Sequence, residues 1–223
     1  MSVSRETVQR LLEALAAEPD PHTTVSDPEA ALDVHVADSL SGLEVPDLSS
    51  ARRIADMGAG AGFPGLVLAL ALPRAQVDLV ESSRRKTAVI DRLIQAVPLS
   101  NARSITTRVE DLGGVPAAVG GGREAYDAVT ARAVGPLAVL VEYAAPLLGV
   151  GGVLVAWKGA REAEEEASGA AAAAELGMAV EDVLSVEPYP GSINRHLHVF
   201  RKISPTPERF PRRAGMARKR PLG

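Results

Sequence analysis

The stretch "IADMGAGAGFPGLVLALA", residues 54–71, sets four glycines (Gly58, Gly60, Gly62 and Gly65) within eight residues, between a short apolar segment and a longer one. A strand, a glycine turn and a helix in that order put the turn at the carboxyl end of a parallel strand. Open α/β sheets take up nucleotide-like ligands there. Glycine allows positive φ and lets a ligand approach the backbone with no Cβ in the way. "GAGFPG", residues 60–65, also satisfies GxGxxG, a signal that is weak alone.

The register argues against a dinucleotide. The strand ends at "ADM", so Gly58 is the first glycine and the string reads D-x-G-x-G-x-G. Asp56 would then oppose a pyrophosphate with its own negative charge. It suits a ligand with cationic groups and no phosphate, and S-adenosylmethionine is one, with its sulfonium and α-ammonium.

The flanking segments extend this pattern. "ARRIADM", "QVDLVE", "ARSITTRV", "YDAVTARA" and "GGVLVAWKG" read as strands. Helical segments lie between them, notably "RKTAVIDRLIQAV" and "PLAVLVEYAAPLL". Five alternations between residues 51 and 158 specify a parallel sheet covered on both faces. After a further helix, "AVEDVLSVEPY" and "RHLHVFRKI" are joined by a short turn only, so they must pair antiparallel. An α/β, mostly parallel, Rossmann-like sheet closed by a C-terminal antiparallel hairpin is the layout of class I S-adenosylmethionine-dependent methyltransferases. An N-terminal helical extension (1–48), a methyltransferase domain (49–203) and a basic tail (204–223) are expected. In the extension, Asp27 is positioned to cap a helix that starts at Pro28 and runs to about Leu43.

Composition bounds the chemistry. With 223 residues and no cysteine, the chain holds one α/β domain and cannot use a thiol nucleophile or a disulfide. No apolar run reaches the ~20 residues of a membrane span, and Met1 leads into a polar helical pattern, so a cytoplasmic protein is expected, with no membrane partner. The net charge is −4, but residues 204–223 carry six cations and one acid, +5, which leaves −9 for the rest. Such a tail is expected to meet RNA phosphate through Arg209, Arg212, Arg213, Arg218, Lys219 and Arg220 without touching the cofactor. The rival is a strap folded along the acidic body.

Candidate ligand contacts follow from position. Glu81 ends the second strand beside the glycine loop, where its carboxylate can accept both ribose hydroxyls. In "TRVEDL", Val109 can pack on adenine, and Glu110 or Asp111 can lie near its exocyclic amine. The methyl acceptor is narrowed by absences: no cysteine for carbon-5 of pyrimidines, no Asn/Asp-Pro-Pro-aromatic motif after the fourth strand, and no metal-ligand spacing. Guanine N7, which has a free lone pair and needs no general base, fits best.

At this point the residues resemble the RsmG (GidB) family, bacterial enzymes that methylate guanine N7 in small-subunit (16S) ribosomal RNA. The resemblance rests on "DMGAGAGFPG", "VESSRRKTAVIDRL", "RVEDL", "YDAVTARAVGPL" and "WKG" in succession. "DPEAALDVHVADSL" and the tail "RFPRRAGMARKRPL" add to it, from about residue 24 to the end. It implies S-adenosylmethionine as cofactor, with Gly58, Phe63, Val109 and Glu110 at its site, where the glycine loop adds Gly60 and Gly62 and the end of the second strand adds Glu81. It also implies Arg132 at the methionine and target end, as a positioning residue without a general base. On the RNA side it implies His35, Asp38 and Ser39, in a helix that covers the cofactor and shapes the guanine site. Arg84, Arg85, Lys86, Lys158, Arg195 and His196 are further RNA candidates. No metal is expected, the partner is small-subunit ribosomal RNA or a ribosomal particle, and a monomer is expected. The chain departs from the family before residue 27, where "DPHTT" stands in place of a longer segment with a Trp and an "NLT" stretch. Two rivals stand beside this reading. One is a methyltransferase of the same fold acting on a small molecule or protein. The other is a non-catalytic S-adenosylmethionine- or RNA-binding ribosome assembly factor.

Overall fold

The computed structural model describes residues 3–23, 25 and 27–223. Met1, Ser2, Thr24 and Ser26, all within the expected extension, lie outside the described residues. One seven-stranded sheet runs through the chain in the order β3-β2-β1-β4-β5-β7-β6. The parallel strands are β1 (Arg53–Met57), β2 (Gln76–Glu81), β3 (Ala102–Thr106), β4 (Tyr126–Arg132) and β5 (Leu148–Lys158). β7 (Arg195–Lys202) enters antiparallel between β5 and β6 (Met178–Val186), as the two segments joined by a short turn require.

Side-chain alternation along the parallel strands divides the core in two. Ile54, Leu79 and Val155 face the helices α1 (Arg5–Ala16), α5 (Gly65–Ala71) and α6 (Arg84–Ala96). Met57, Val80 and Leu154 face α8 (Leu137–Ala144) and α9 (Ala163–Glu175). Strand order reverses at β1, whose neighbours are β2 and β4, and the carboxyl ends there open the crevice in which a ligand sits.

The extension is helical. Val8, Leu11, Leu12 and Leu15 bury one face of α1, and Arg10 donates to the Ala96 carbonyl at the end of α6. Asp27 caps the next helix by accepting from Ala30 N at 2.9 Å. That helix runs as α2 (Pro28–Ala31), widens to π-helical geometry over Leu32–Ala37, and returns to α3 (Asp38–Ser41). A further short helix, α4 (Pro46–Ser50), starts on a proline and leads into β1.

Several boundaries differ from the sequence reading. β3 ends at Thr106, not Val109, because its neighbour β2 ends opposite it at Glu81. The chain then turns into α7 (Val109–Gly113). α8 stops at Ala144, before Pro146, which has no N–H to continue the ladder. β5 accordingly starts three residues earlier than expected, with Leu148 opposite Tyr126.

The segment after β7 folds back over the body and ends in α10 (Met216–Lys219). Phe210 and Ala217 are buried, and Arg123 donates to the carbonyls of Phe210 and Thr206. Arg212 forms a bidentate pair with Glu142, which is 2% exposed. Among the described residues no helix is long and apolar enough to cross a membrane.

Candidate cofactor and target site

The glycine loop leaves β1 with Gly58, Gly60 and Gly62 at φ of +67°, +58° and +98°. Gly58 N and Ala59 N both donate to the Val80 carbonyl, which pins the loop against β2. The glycines are not equivalent. A Cβ at Gly62 would come within 2.5 Å of Leu66, and one at Gly65 within 2.8 Å of Asp56. A Cβ at Gly60 would meet only the Gly58 carbonyl, at 3.8 Å, and would project into the cleft. Gly60 is therefore the position where absence of a side chain leaves room for a ligand.

Asp56 does not face that ligand, contrary to the sequence reading. It is 1% exposed, and its carboxylate accepts from Gly65 N at 2.9 Å and Thr130 Oγ1 at 2.8 Å. Burial raises its pKa to about 6, against the two hydrogen bonds. Its place in the string is explained by bracing the loop exit, because the side chain spans from β1 to the first residue of α5.

Beyond the loop lies a cleft of about 310 Å³ lined by Gly58, Glu81, Val109, Glu110, Tyr143 and others. Glu81 is almost buried. It accepts from Ser83 N at 2.9 Å and Gly60 N at 3.3 Å, which fixes the carboxylate beside the loop. Lys86 lines this cleft too, 3.8 Å from Glu81, with its side chain partly exposed. Arg84 and Arg85 are exposed at the start of α6. Between Glu110 and Asp111 the structure distinguishes: Glu110 lines the cleft and Asp111 is exposed.

A second cleft of about 400 Å³ shares Gly58, Lys86 and Ala133 with the first and adds Gly60, Phe63, His35 and Arg132. Ala133 takes φ +57° just after β4, a strained conformation for a residue with a Cβ. Sequence reasoning passed over it, since an alanine carries no signal for such a turn.

Arg132 is the hub of this second cleft. Its Nη1 donates to Asp38 Oδ2 at 2.8 Å and to the Val34 carbonyl at 2.9 Å, and Nη2 lies 3.4 Å from His35 Nδ1. His35 and Asp38 thus meet through Arg132. His35 stacks on Phe63, with ring centroids 4.6 Å apart. Its Nε2 faces the Val25 carbonyl at 3.0 Å, so that nitrogen carries the proton and Nδ1 is left as acceptor. Burial, and then Arg132, hold the imidazole below its ordinary pKa. Ser39 is fully buried and donates to the His35 carbonyl. It shapes the helix and does not reach a target.

A third cleft, of about 230 Å³, continues from Arg132 and Ala133 to Trp157, Lys158, Arg195 and His196. Trp157 Nε1 donates to the Asp38 carbonyl at 2.8 Å, tying β5 to α3. Lys158 pairs with Glu165 at 2.6 Å. Arg195 reaches Tyr189 Oη at 3.3 Å, while its buried Nε has no partner among the described residues.

The tail lies along the body, as in the rival strap reading. Arg212 is consumed by Glu142, and Arg209 pairs at the surface with Glu175. Gly215 N donates to Glu110 Oε1 at 2.7 Å, and Arg218 lines the first cleft. The segment expected to stay clear of the cofactor site borders it, because Phe210 and Arg212 anchor it across α8. Arg213, Arg218, Lys219 and Arg220 are exposed. Among the described residues no group of three or more His, Asp and Glu side chains is placed to hold a metal ion.

Comparison with known proteins places this geometry. The model of the family described as rRNA small subunit methyltransferase G (GidB) matches residues 8–197. The ribosomal RNA small subunit methyltransferase G of Pelotomaculum thermopropionicum is 41% identical over 84% of this chain and 77% of its own. That of Symbiobacterium thermophilum is 40% identical over 90% of this chain and 82% of its own. In fold, the S-adenosylmethionine-dependent methyltransferase SibL superposes with a TM-score of 0.59 at 15% identity, covering 86% of this chain and 62% of its own. An O-methyltransferase described as predicted, from Agrobacterium tumefaciens, gives 0.56 at 23% identity, covering 76% and 80%.

Proposed function

The chain belongs to the rRNA small subunit methyltransferase G (GidB) family, and from that premise we propose that it transfers the methyl group of S-adenosylmethionine to N7 of a guanine in small-subunit (16S) ribosomal RNA. The supporting observation is the run of three joined clefts along the carboxyl ends of β1, β4 and β5, from the glycine loop to Arg132, Lys158 and Arg195. The end near the glycine loop suits an adenosine, and the far end suits an anionic polymer.

The residues fit this cofactor. Gly60 leaves the space a Cβ would fill. Glu81 would accept the ribose hydroxyls, Val109 would cover the adenine face, and Glu110 would accept the exocyclic amine. When bound, S-adenosylmethionine supplies an electrophilic methyl carbon on a sulfonium.

The chain's own part is positioning. Guanine N7 offers an in-plane lone pair, so no proton has to leave before attack. Both nitrogens of His35 are engaged, at Val25 and toward Arg132, so the imidazole is not arranged as a base. Arg132 would hold the guanine or a neighbouring phosphate. Its ion pair with Asp38 offsets the charge it would otherwise present to a purine that becomes cationic.

The test is methyl transfer from radiolabelled S-adenosylmethionine to small subunits and to naked 16S RNA from cells lacking this gene. Modified guanines are located by reduction and aniline cleavage. A single new N7-methylguanine supports the proposal. Label in protein or small molecules, or cofactor binding without transfer, would replace it with one of the rival readings.

A further inference from the structure

We infer that the C-terminal segment, residues 205–220, is part of the cofactor site: it builds the outer wall of the adenosine cleft and sets the rotamer of Glu110. The inference rests on the reading that this cleft takes S-adenosylmethionine. The segment also lies beyond residues 8–197, which match the family model.

The segment is anchored from inside. Phe210 is 2% exposed, Thr206 is buried, and Arg123 ties down the carbonyl of each. Arg212 neutralises Glu142, a carboxylate otherwise buried without a counter-charge. These anchors fix the chain three residues before Gly215. At Gly215 the backbone turns with φ +82°, and its N–H meets Glu110 Oε1 at 2.7 Å. One oxygen of Glu110 is thereby held by the tail, which leaves Oε2 for a donor in the cleft. A carboxylate fastened on one side accepts from an amine without first losing rotamer freedom.

Arg218 completes the wall. One turn after Gly215, its Nη2 donates to the Val134 carbonyl at 3.0 Å, immediately after the strained Ala133. It lines the same cleft as Gly58, Glu81, Val109 and Tyr143. The Tyr143 phenol is raised above its ordinary pKa by burial and then by the facing Glu110 carboxylate, with Arg218 acting the other way. Glu110, Tyr143 and Arg218 therefore form one polar group at the cleft's edge, contributed by α7, α8 and the tail. Glu110 and Arg218 are binding residues in this assignment, and Gly215 is a positioning residue that acts through Glu110.

Hydrogen exchange on the full-length chain, with and without S-adenosylmethionine, tests this, together with calorimetry on Arg218→Ala and Arg218→Lys. Saturating cofactor should slow exchange in residues 210–220 as well as in the glycine loop, and leave α1, on the other face of the sheet, unchanged. Arg218→Ala should weaken Kd about fivefold, the loss of one hydrogen bond, with an unaltered melting temperature. Arg218→Lys should recover most of the affinity. Protection of the glycine loop with no change in 210–220, and wild-type Kd in Arg218→Ala, would overturn the inference and reduce the tail to a strap. No binding heat and no protection anywhere would remove the cofactor reading, and this inference with it.

Discussion

Arg132 Nη1 lies 2.8 Å from Asp38 Oδ2, a contact between residues 94 apart in sequence that joins the end of β4 to the N-terminal helices. The pair is mostly buried, with side chains 16% and 10% exposed. Because the same guanidinium reaches Val34 and approaches His35, one side chain both closes the extension over the sheet and lines the second and third clefts.

The first prediction separates these two roles. Arg132→Ala leaves the Asp38 carboxylate buried without its partner, and stability should fall by ~3 kcal/mol. Turnover should fall by more than cofactor affinity does, since a positioning contact acts in the transition state. The double variant Arg132→Ala/Asp38→Asn should regain stability in urea titrations while methyl transfer stays low. Full recovery of turnover in the double variant would show that the arginine is structural only.

Gly60 and Gly62 should respond differently to the same substitution. Gly60→Val places its side chain in the cleft at positive φ, at a strain of roughly 1–3 kcal/mol. It should abolish S-adenosylmethionine binding while the protein remains folded. Gly62→Val drives a side chain into Leu66 and should lower the melting temperature well below that of Gly60→Val. Near-normal affinity in a folded Gly60→Val protein would mean the loop is only a turn.

Asp56 makes stability depend on pH. Its pKa, raised to about 6 by burial, lies above the ~3.9 of an unfolded chain. The folded state therefore binds the proton more tightly than the unfolded state. This contribution is fully present below about pH 4 and is lost as pH rises through 6, by about 3 kcal/mol. Asp56→Asn keeps an acceptor for Gly65 N and turns the Thr130 hydroxyl into the acceptor for its amide. Its melting temperature relative to wild type should rise between pH 4 and pH 6.5. A difference that stays flat across this range would show that Asp56 is ionised in the folded protein at all of these pH values.

The sequence carried the local half of this structure well. β2 lies where "QVDLVE" alternates, and Asp27 caps the helix it was placed to cap. The antiparallel ending followed from the length of one turn. Long-range contacts left no such trace. Nothing in "TARAV" tells that Arg132 meets Asp38, because the register between the extension and β4 depends on how the intervening helices pack. The string D-x-G-x-G-x-G points Asp56 at a ligand because a string shows spacing but not which face of a strand a side chain takes. For the tail, composition leaves an RNA-binding segment and a strap along the acidic body side by side, and only the buried positions of Phe210 and Glu142 bring it onto the body.

The last prediction divides the tail's cations by what they already touch. Arg212 is bound to Glu142, and Arg218 belongs to the adenosine wall, so neither is free to follow an RNA backbone. Arg213, Lys219 and Arg220 are exposed and have no side-chain ion pair among the described residues. Each phosphate they neutralise should steepen the dependence of log affinity on log salt by ~0.7 to ~0.9. Replacing all three by alanine should therefore flatten that slope for 16S RNA by about two to three, with little change in melting temperature or cofactor affinity. Arg212→Ala should do the reverse. It strands the Glu142 carboxylate in the core, so the melting temperature should fall sharply, while the salt slope should hold at temperatures where the protein is folded. An unaltered slope in the triple variant would place the RNA elsewhere, with the Arg195 and His196 end of the third cleft as the next surface to substitute.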